Sequence, residues 1–267
     1  MPRLSRVVRG SGPGLLLAHG GGGGIEPNFG PIIDGLAEGR TVVGPDFPGS
    51  GDTPRATAPL TLDGLADQLV LTAVEEGVER FAILGYSMGG PVAIRAAIRH
   101  PHRVTALVLT ASFAAPNPRI RLATSLWRGL IDSGDDQRIA AFLALIGLGA
   151  PFLDGFTEDR LQATLETIAA RLRPGTRDHL DLVDGIDVRG DLPRIAVPTL
   201  VISTTADALA TPHHHRRLAD AIPDAAFAEL PSGHLPAVER PAEWLALIRD
   251  FLDGIALDPD HDVAFAE

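Results

Sequence analysis

The sequence contains no cysteine and no lysine. The first absence rules out disulfides, thiolate metal sites and a cysteine nucleophile. The second removes the amine of a Schiff base and the phosphate-gripping residue of a P-loop. All 23 basic residues are arginine, set against 34 acidic ones, for a net charge of −11. An acidic chain without a clustered basic face is not expected to bind nucleic acid or an anionic membrane surface. No run of about 18 apolar residues is present. The opening MPRLSRVVRGSG has no apolar stretch of the kind a signal peptide needs, so a soluble, cytoplasmic protein is expected. Aromatic residues are few, and Tyr86 is the only tyrosine. What the chain does have is glycine, concentrated at 20–24 and again in GYSMGG at 85–90. At 267 residues it is long enough to bury roughly 70–75% of its unfolded surface without covalent staples.

Up to Thr110, short apolar runs alternate with longer helical patterns. Leu15–Ala18, Thr41–Val43, Phe81–Leu84 and Val104–Leu109 are predicted strands, each ended by glycine, proline or a small polar residue. Leu62–Glu76 and Pro91–Arg99 are predicted helices, with Pro91 in a first turn, where its missing N–H costs nothing. Such alternation predicts a mainly parallel sheet covered on both faces. Between 113 and 190 the strand signal disappears. Leu122–Ile131, Arg138–Leu148 and Glu158–Leu172 instead carry apolar residues at three- and four-residue spacing. The sheet rhythm resumes at Thr199–Ser203, followed by a helix at His214–Ala221, a strand at Ala226–Leu230 and a helix at Ala242–Leu252. The expected organisation is one α/β core made of residues 1–112 and 191–254, a helical cap inserted at 113–190, and a flexible acidic tail at 255–267. Helical layers in such a position commonly close over a pocket.

GYSMGG follows a predicted strand and precedes a predicted helix. A Gly-x-Ser-x-Gly turn in that context puts its serine on a sharp bend above the C-terminal edge of the sheet. The helix behind it aims its positive end at a reacting carbonyl. A phosphate loop would need a lysine, and a dinucleotide fingerprint would need a different glycine spacing. Ser87 is therefore the candidate nucleophile. A serine hydroxyl needs a base, and the base a carboxylate to orient it, with serine, acid and histidine expected in that chain order.

Of nine histidines, His234 in LPSGHLPAVERP stands in a loop between the last predicted strand and the last predicted helix, at the edge where Ser87 lies. His100 and His102 fall at the far end of the helix after the serine. His213, His214 and His215 invite a metal reading, but adjacent helical positions point about 100° apart and converge poorly on one ion. His179 falls in the insertion and His261 in the tail. For the acid, Asp207 follows the strand Thr199–Ser203 on a loop at the same edge. Asp181, Asp184, Asp187 and Asp191 precede that strand, and Glu239 is placed on the final helix. An oxyanion would need two N–H donors. Met88, next after the nucleophile, offers one, and Gly21 in LLLAHGGGGG offers the other, with His19 as an organiser of that loop.

LLLAHGG, VVGPDFPGSGDT, LGYSMGG, the strand leading to Asp207 and SGHLPAVERP occur in this order over residues 15–252. Together they resemble the lid-bearing branch of the α/β-hydrolase superfamily. That resemblance implies Ser87 as nucleophile, Asp207 as acid, His234 as base, Gly21 and Met88 as oxyanion donors, and a pocket between sheet edge and lid. It implies no cofactor and no metal. Two places depart from the usual pattern: the glycines run on past His19-Gly20 where a proline often follows, and STTADALAT has no glycine before its aspartate. Relatives with an aspartate at the elbow, the epoxide hydrolases and haloalkane dehalogenases, are set aside by the serine.

The expected activity is a serine hydrolase acting on a small-to-medium apolar ester, thioester or lactone, with a small molecule as its partner. Two other readings stand beside it: an eliminase or cyclase using the same triad on an acylated natural-product intermediate, and a non-catalytic ligand-binding homologue. Candidate pocket residues are Tyr86, Trp127, Phe142, Leu145, Ile146 and Phe152, each of which also suits plain helix packing.

Overall fold

The computed structural model describes residues 3–256. Seven strands form one sheet: β1 (Arg6–Arg9), β2 (Gly14–Ala18), β3 (Thr41–Pro45), β4 (Phe81–Tyr86), β5 (Val104–Thr110), β6 (Thr199–Thr204) and β7 (Ala226–Leu230). Their spatial order is β1-β3-β2-β4-β5-β6-β7, with β1 antiparallel to β3 and every other pairing parallel. The connections run through α1 (Ile25–Ala37), α2 (Leu62–Glu75), α3 (Gly89–Arg99), α9 (Pro212–Ala221) and α10 (Pro236–Glu239), and α11 (Pro241–Ala256) closes the described chain. Five helices intervene between β5 and β6: α4 (Pro118–Ser133), α5 (Asp136–Gly147), α6 (Ala150–Leu153), α7 (Glu158–Ala170) and α8 (Thr176–Gly185). This is an α/β-hydrolase fold.

Strand side chains alternate faces, so each strand feeds two cores. Leu16, Ala18, Phe81 and Ile83 pack with Leu65 and Leu69 of α2, Val92 and Ala96 of α3 and Leu218 of α9. Leu15, Leu17, Ala82 and Leu84 pack on the opposite face with Phe29 of α1 and Trp244 and Ile248 of α11. Because β2 to β7 all run parallel, their C-terminal ends share one edge. The residues just after β2, β4, β6 and β7 are brought together there.

Several elements differ from the sequence expectation. β1 is an additional edge strand, which its short, half-buried RVVR stretch does not announce. α1 also goes beyond the sequence expectation, because IEPNFGPIIDGLA carries prolines and glycines, yet it buries Ile25, Phe29, Ile32, Ile33 and Leu36 on one stripe. α8 lies beyond the three helical patterns read in the insertion. Glu239 ends the short α10 and does not lie on the final helix, because Pro241 starts α11 afresh. Most of the acidic tail expected at 255–267, including His261, lies outside the described residues. No helix among the described residues is long and apolar enough to cross a membrane.

Candidate active site

Ser87 sits between β4 and α3 with φ +53°, a left-handed conformation that costs a non-glycine residue about 1–3 kcal/mol unless its surroundings impose it. They do so here. Its N–H donates to the Thr110 carbonyl at 3.0 Å, and its own carbonyl accepts from Ser112 Oγ at 2.9 Å and from Gly90 N–H at 3.0 Å. Gly89 must be glycine because a Cβ there would collide with the Ala18 carbonyl oxygen. The turn is therefore pressed against the end of β2, and the serine is driven upward from the sheet edge.

The three residues expected to act together are together. His234 Nε2 lies 2.9 Å from Ser87 Oγ, and His234 Nδ1 lies 2.7 Å from Asp207 Oδ2. Asp207 is fully occupied as an acceptor. Oδ1 receives the N–H groups of Leu209 and Ala210 at 2.8 and 3.0 Å, and Oδ2 also receives Thr204 Oγ1 at 3.0 Å. A carboxylate held this way favours the neutral His234 tautomer with the proton on Nδ1, which leaves Nε2 as an acceptor facing Ser87 Oγ. The Tyr86 hydroxyl donates to the His234 carbonyl at 2.7 Å, fixing the backbone of the base. Burial pushes the Tyr86 hydroxyl well above its ordinary pKa, so it remains a donor.

Glu239 and His215 also bond or pack against the site, a role not expected for them from the sequence. Glu239 is buried. Its Oε2 accepts Gly233 N–H and its Oε1 accepts Gly149 N–H, both at 3.0 Å. One carboxylate thus ties the loop of His234 to the segment between α5 and α6, and Leu235 N–H donates to Gly147 O at 3.2 Å beside it. His215, set aside in the sequence as part of a histidine run, is buried under the acid. Its Nδ1 pairs with Ser203 Oγ at 3.1 Å and its Nε2 stands 4.0 Å from Asp207 Oδ2. Burial lowers its pKa to about 4, so it sits beside Asp207 as a neutral ring. Its stripe with Leu218 and Ile222 was the available signal.

The glycine loop crosses Ser87 from the other side. A Cβ built on Gly21 would stand 3.4 Å from Met88 Sδ, so Gly21 and Met88 face one another beside Ser87. Met88 precedes α3, whose first N–H groups have no helical acceptor. Among the described residues no intramolecular hydrogen bond occupies the N–H of Gly21 or of Met88. His19 organises the loop's base: Nδ1–H donates to Gly20 O at 2.8 Å and Nε2 accepts Phe47 N–H at 2.9 Å. Full burial lowers its pKa to about 3, which suits a neutral ring that must accept as well as donate.

The chain matches the alpha/beta hydrolase fold family over residues 13–241. It belongs to the α/β-hydrolase family. It is 32% identical over 252 residues to the pyrrolizixenacetamide deacetylase of Xenorhabdus hominickii, covering 94% of both chains. It is 31% identical to a pimeloyl-(acyl-carrier protein) methyl ester esterase of Neisseria meningitidis, covering 92% of this chain and 78% of that one. Among solved structures, the enol-lactonase from Burkholderia xenovorans LB400 superposes with a TM-score of 0.83 at 24% identity, covering 94% and 96% of the two chains, a likeness of fold. The protein is an α/β-fold hydrolase.

In this hydrolase, Ser87 and His234 open into a cavity of about 450 Å³. Tyr86, Trp127 and Ile146 line it, as do Phe113, Leu143 and a long face of α7. Phe142, Leu145 and Phe152 do not, and the sequence expectation for them is corrected. On α5 the cavity face is Leu143, Ile146 and Gly147, so Phe142 and Leu145 are rotated off it, and Leu145 is 68% exposed. Phe152 packs edge-on against Phe156, with the Arg160 guanidinium over both rings. The cavity face of α7 was missed because it is built from Ala163, Thr164, Thr167 and Ile168, flanked by Arg160 and Arg171, and carries no large apolar signal.

Proposed function

We propose that this hydrolase cleaves a small-to-medium, largely apolar ester, thioester or lactone through an acyl-enzyme at Ser87. The observation that carries this reading is the unbroken chain Ser87 Oγ–His234–Asp207, at 2.9 and 2.7 Å, opening into a mainly apolar cavity. In the first step His234 Nε2 takes the hydroxyl proton as Ser87 Oγ attacks the carbonyl carbon. The negative charge that develops on the carbonyl oxygen is met by the N–H groups of Gly21 and Met88. His234 then gives its proton to the leaving alcohol or thiol. A water, deprotonated by the same nitrogen, releases the acid and restores the serine. Residues 113–190 act as the cap of this site, setting which acyl and alcohol groups fit. A cytoplasmic location belongs to the same reading.

A second substrate class follows from the similarity to a deacetylase: an N-acyl amide, for which proton delivery from His234 to the departing nitrogen becomes the demanding step. Reaction with a fluorophosphonate probe and turnover of a panel of p-nitrophenyl esters, lactones and acetamides test both. Stoichiometric labelling of the native protein, lost in Ser87→Ala, is expected. No labelling would return the chain to the non-catalytic, ligand-binding reading. Turnover in labelled water without oxygen incorporation would favour the eliminase or cyclase.

A further inference from the structure

Five consecutive glycines, 20–24, form the loop that faces the nucleophile. Glycine has the widest backbone freedom of any residue, so such a loop takes its shape from what holds it. Gly20 N–H donates to Asn28 Oδ1 at 2.9 Å, and Gly23 N–H donates back to Gly20 O at 3.3 Å. Between them, Gly22, at φ +71°, donates its N–H to His179 Nδ1 at 3.0 Å. His179 comes from α8, in the segment between β5 and β6, and is fully buried. Its Nε2–H donates to the Pro48 carbonyl at 3.0 Å. The ring thus joins three separate segments, and its two bonds require one neutral tautomer, Nδ1 accepting and Nε2 donating.

α8 is itself firmly seated. Asp178 makes a two-pronged ion pair with Arg55, both contacts at 2.8 Å. At its start Gly175 lies flat on the Gly49 backbone, where a Cβ on either residue would strike the other. Gly21 N–H therefore lies between two amides that are each tied to a side chain, Gly20 to Asn28 and Gly22 to His179.

We propose that His179 is a positioning residue for catalysis: by accepting the Gly22 N–H it sets the direction of the Gly21 N–H toward the reacting oxygen. The insertion then contributes to the chemistry as well as to the pocket wall. This rests on the acyl-enzyme reading above. Misdirecting a donor by a fraction of its bond length is felt in the transition state, where the oxyanion is charged, more than in substrate binding.

The experiment compares native protein, His179→Leu and His179→Asn with one p-nitrophenyl ester. Asn retains an acceptor close to the place of Nδ1, whereas Leu fills the space without one. Leu is expected to lower kcat about 10- to 100-fold, less than the loss of a donor itself, with KM nearly unchanged and fluorophosphonate labelling of Ser87 slowed in parallel. Asn is expected to recover most of kcat. Equal kcat in Leu and native protein, a change confined to KM, or an Asn variant no better than Leu at equal thermal stability would overturn the proposal. Nitrogen-15 shifts of native His179 give a readout that needs no variant: Nδ1 without a proton is expected, and a protonated Nδ1 refutes the bond to Gly22. Absence of labelling and turnover in the native protein would instead sink the acyl-enzyme reading and identify that as the failure.

Discussion

The sheet edge that carries Ser87, Asp207 and His234 and the helices that face it across the cavity are held by different means. α3, behind Ser87, buries eight of its eleven residues, from Gly89 to Ala97. α7, on the opposite wall, is two residues longer and buries none. At the edge each functional side chain follows the end of a parallel strand, and its backbone is fixed by ladder bonds and by groups such as Thr110, Ser112 and Thr204. Across the cavity the shape depends on helix-to-helix contacts and on surface ion pairs such as Arg177–Asp132. Such exposed pairs contribute little individually. Tight packing on one side and loose packing on the other suit a site in which bond-making geometry stays fixed while the substrate-facing wall adapts.

The largest effect that would sharpen this contrast is expected at the acid. Asp207→Asn should lower kcat about 10⁴-fold, because His234 loses the acceptor that sets its tautomer, while circular dichroism and thermal unfolding change little. A smaller loss than that of a cavity-wall variant such as Ile146→Ala would break the comparison.

Next comes acid sensitivity. Burial holds His19 at about 3 and His215 at about 4 in the folded protein, against 6.5 for a free ring, and lowers His179 as well. Below pH 6.5 the unfolded chain takes up protons that these folded rings refuse. Stability is therefore complete above that pH and falls as pH drops toward 4, each ring adding a slope of up to about 1.4 kcal/mol per pH unit. Urea unfolding between pH 7 and 4 checks this, and His215→Gln should flatten the slope by close to one proton. An unaltered slope in that variant would mean that His215 titrates normally.

The smallest effects belong to the facing wall. Ile146→Ala should shift the preference between long and short acyl esters by about tenfold in kcat/KM, the usual worth of one or two methylenes. Leu145→Ala, its exposed neighbour, should leave the preference unchanged. Equal shifts from the two would show that the wall is not the face of α5 assigned to it.

The same division decided what could be read from the sequence. β2, β4, β5 and β6 are apolar runs ending at turn-forming residues, so Ser87 and Asp207, which follow two of them, could be placed on one edge with His234 after β7, where the three side chains hydrogen-bond in a chain. The insertion was legible as helices but not as faces. Periodicity marked α5, yet it did not say which of Leu145 and Ile146 turned inward, because that depends on how α5 meets α4 and α7. α1 was hidden by Pro27 and Pro31, whose local disfavour is outweighed by the burial of Phe29 and its neighbours. His179 did leave a trace: it lies on a stripe with Thr176, Leu180 and Val183, a lone imidazole among inward positions. Nothing in the sequence said that its partner would be a glycine more than 150 residues earlier.

The bridge made by Glu239 bears on how a substrate reaches Ser87. Gly149 and Gly233 share one carboxylate, and Gly147 accepts from Leu235. If the helices between β5 and β6 swung outward as one piece, they would either drag the loop of His234 away from Ser87 or strip the Gly149 and Leu235 N–H groups of their acceptors, at a cost of about 1–3 kcal/mol for each such group. The α5–α6 side is thus a gatepost bolted to the loop that carries His234. α7, which buries no residue, carries no such bolt among the described residues.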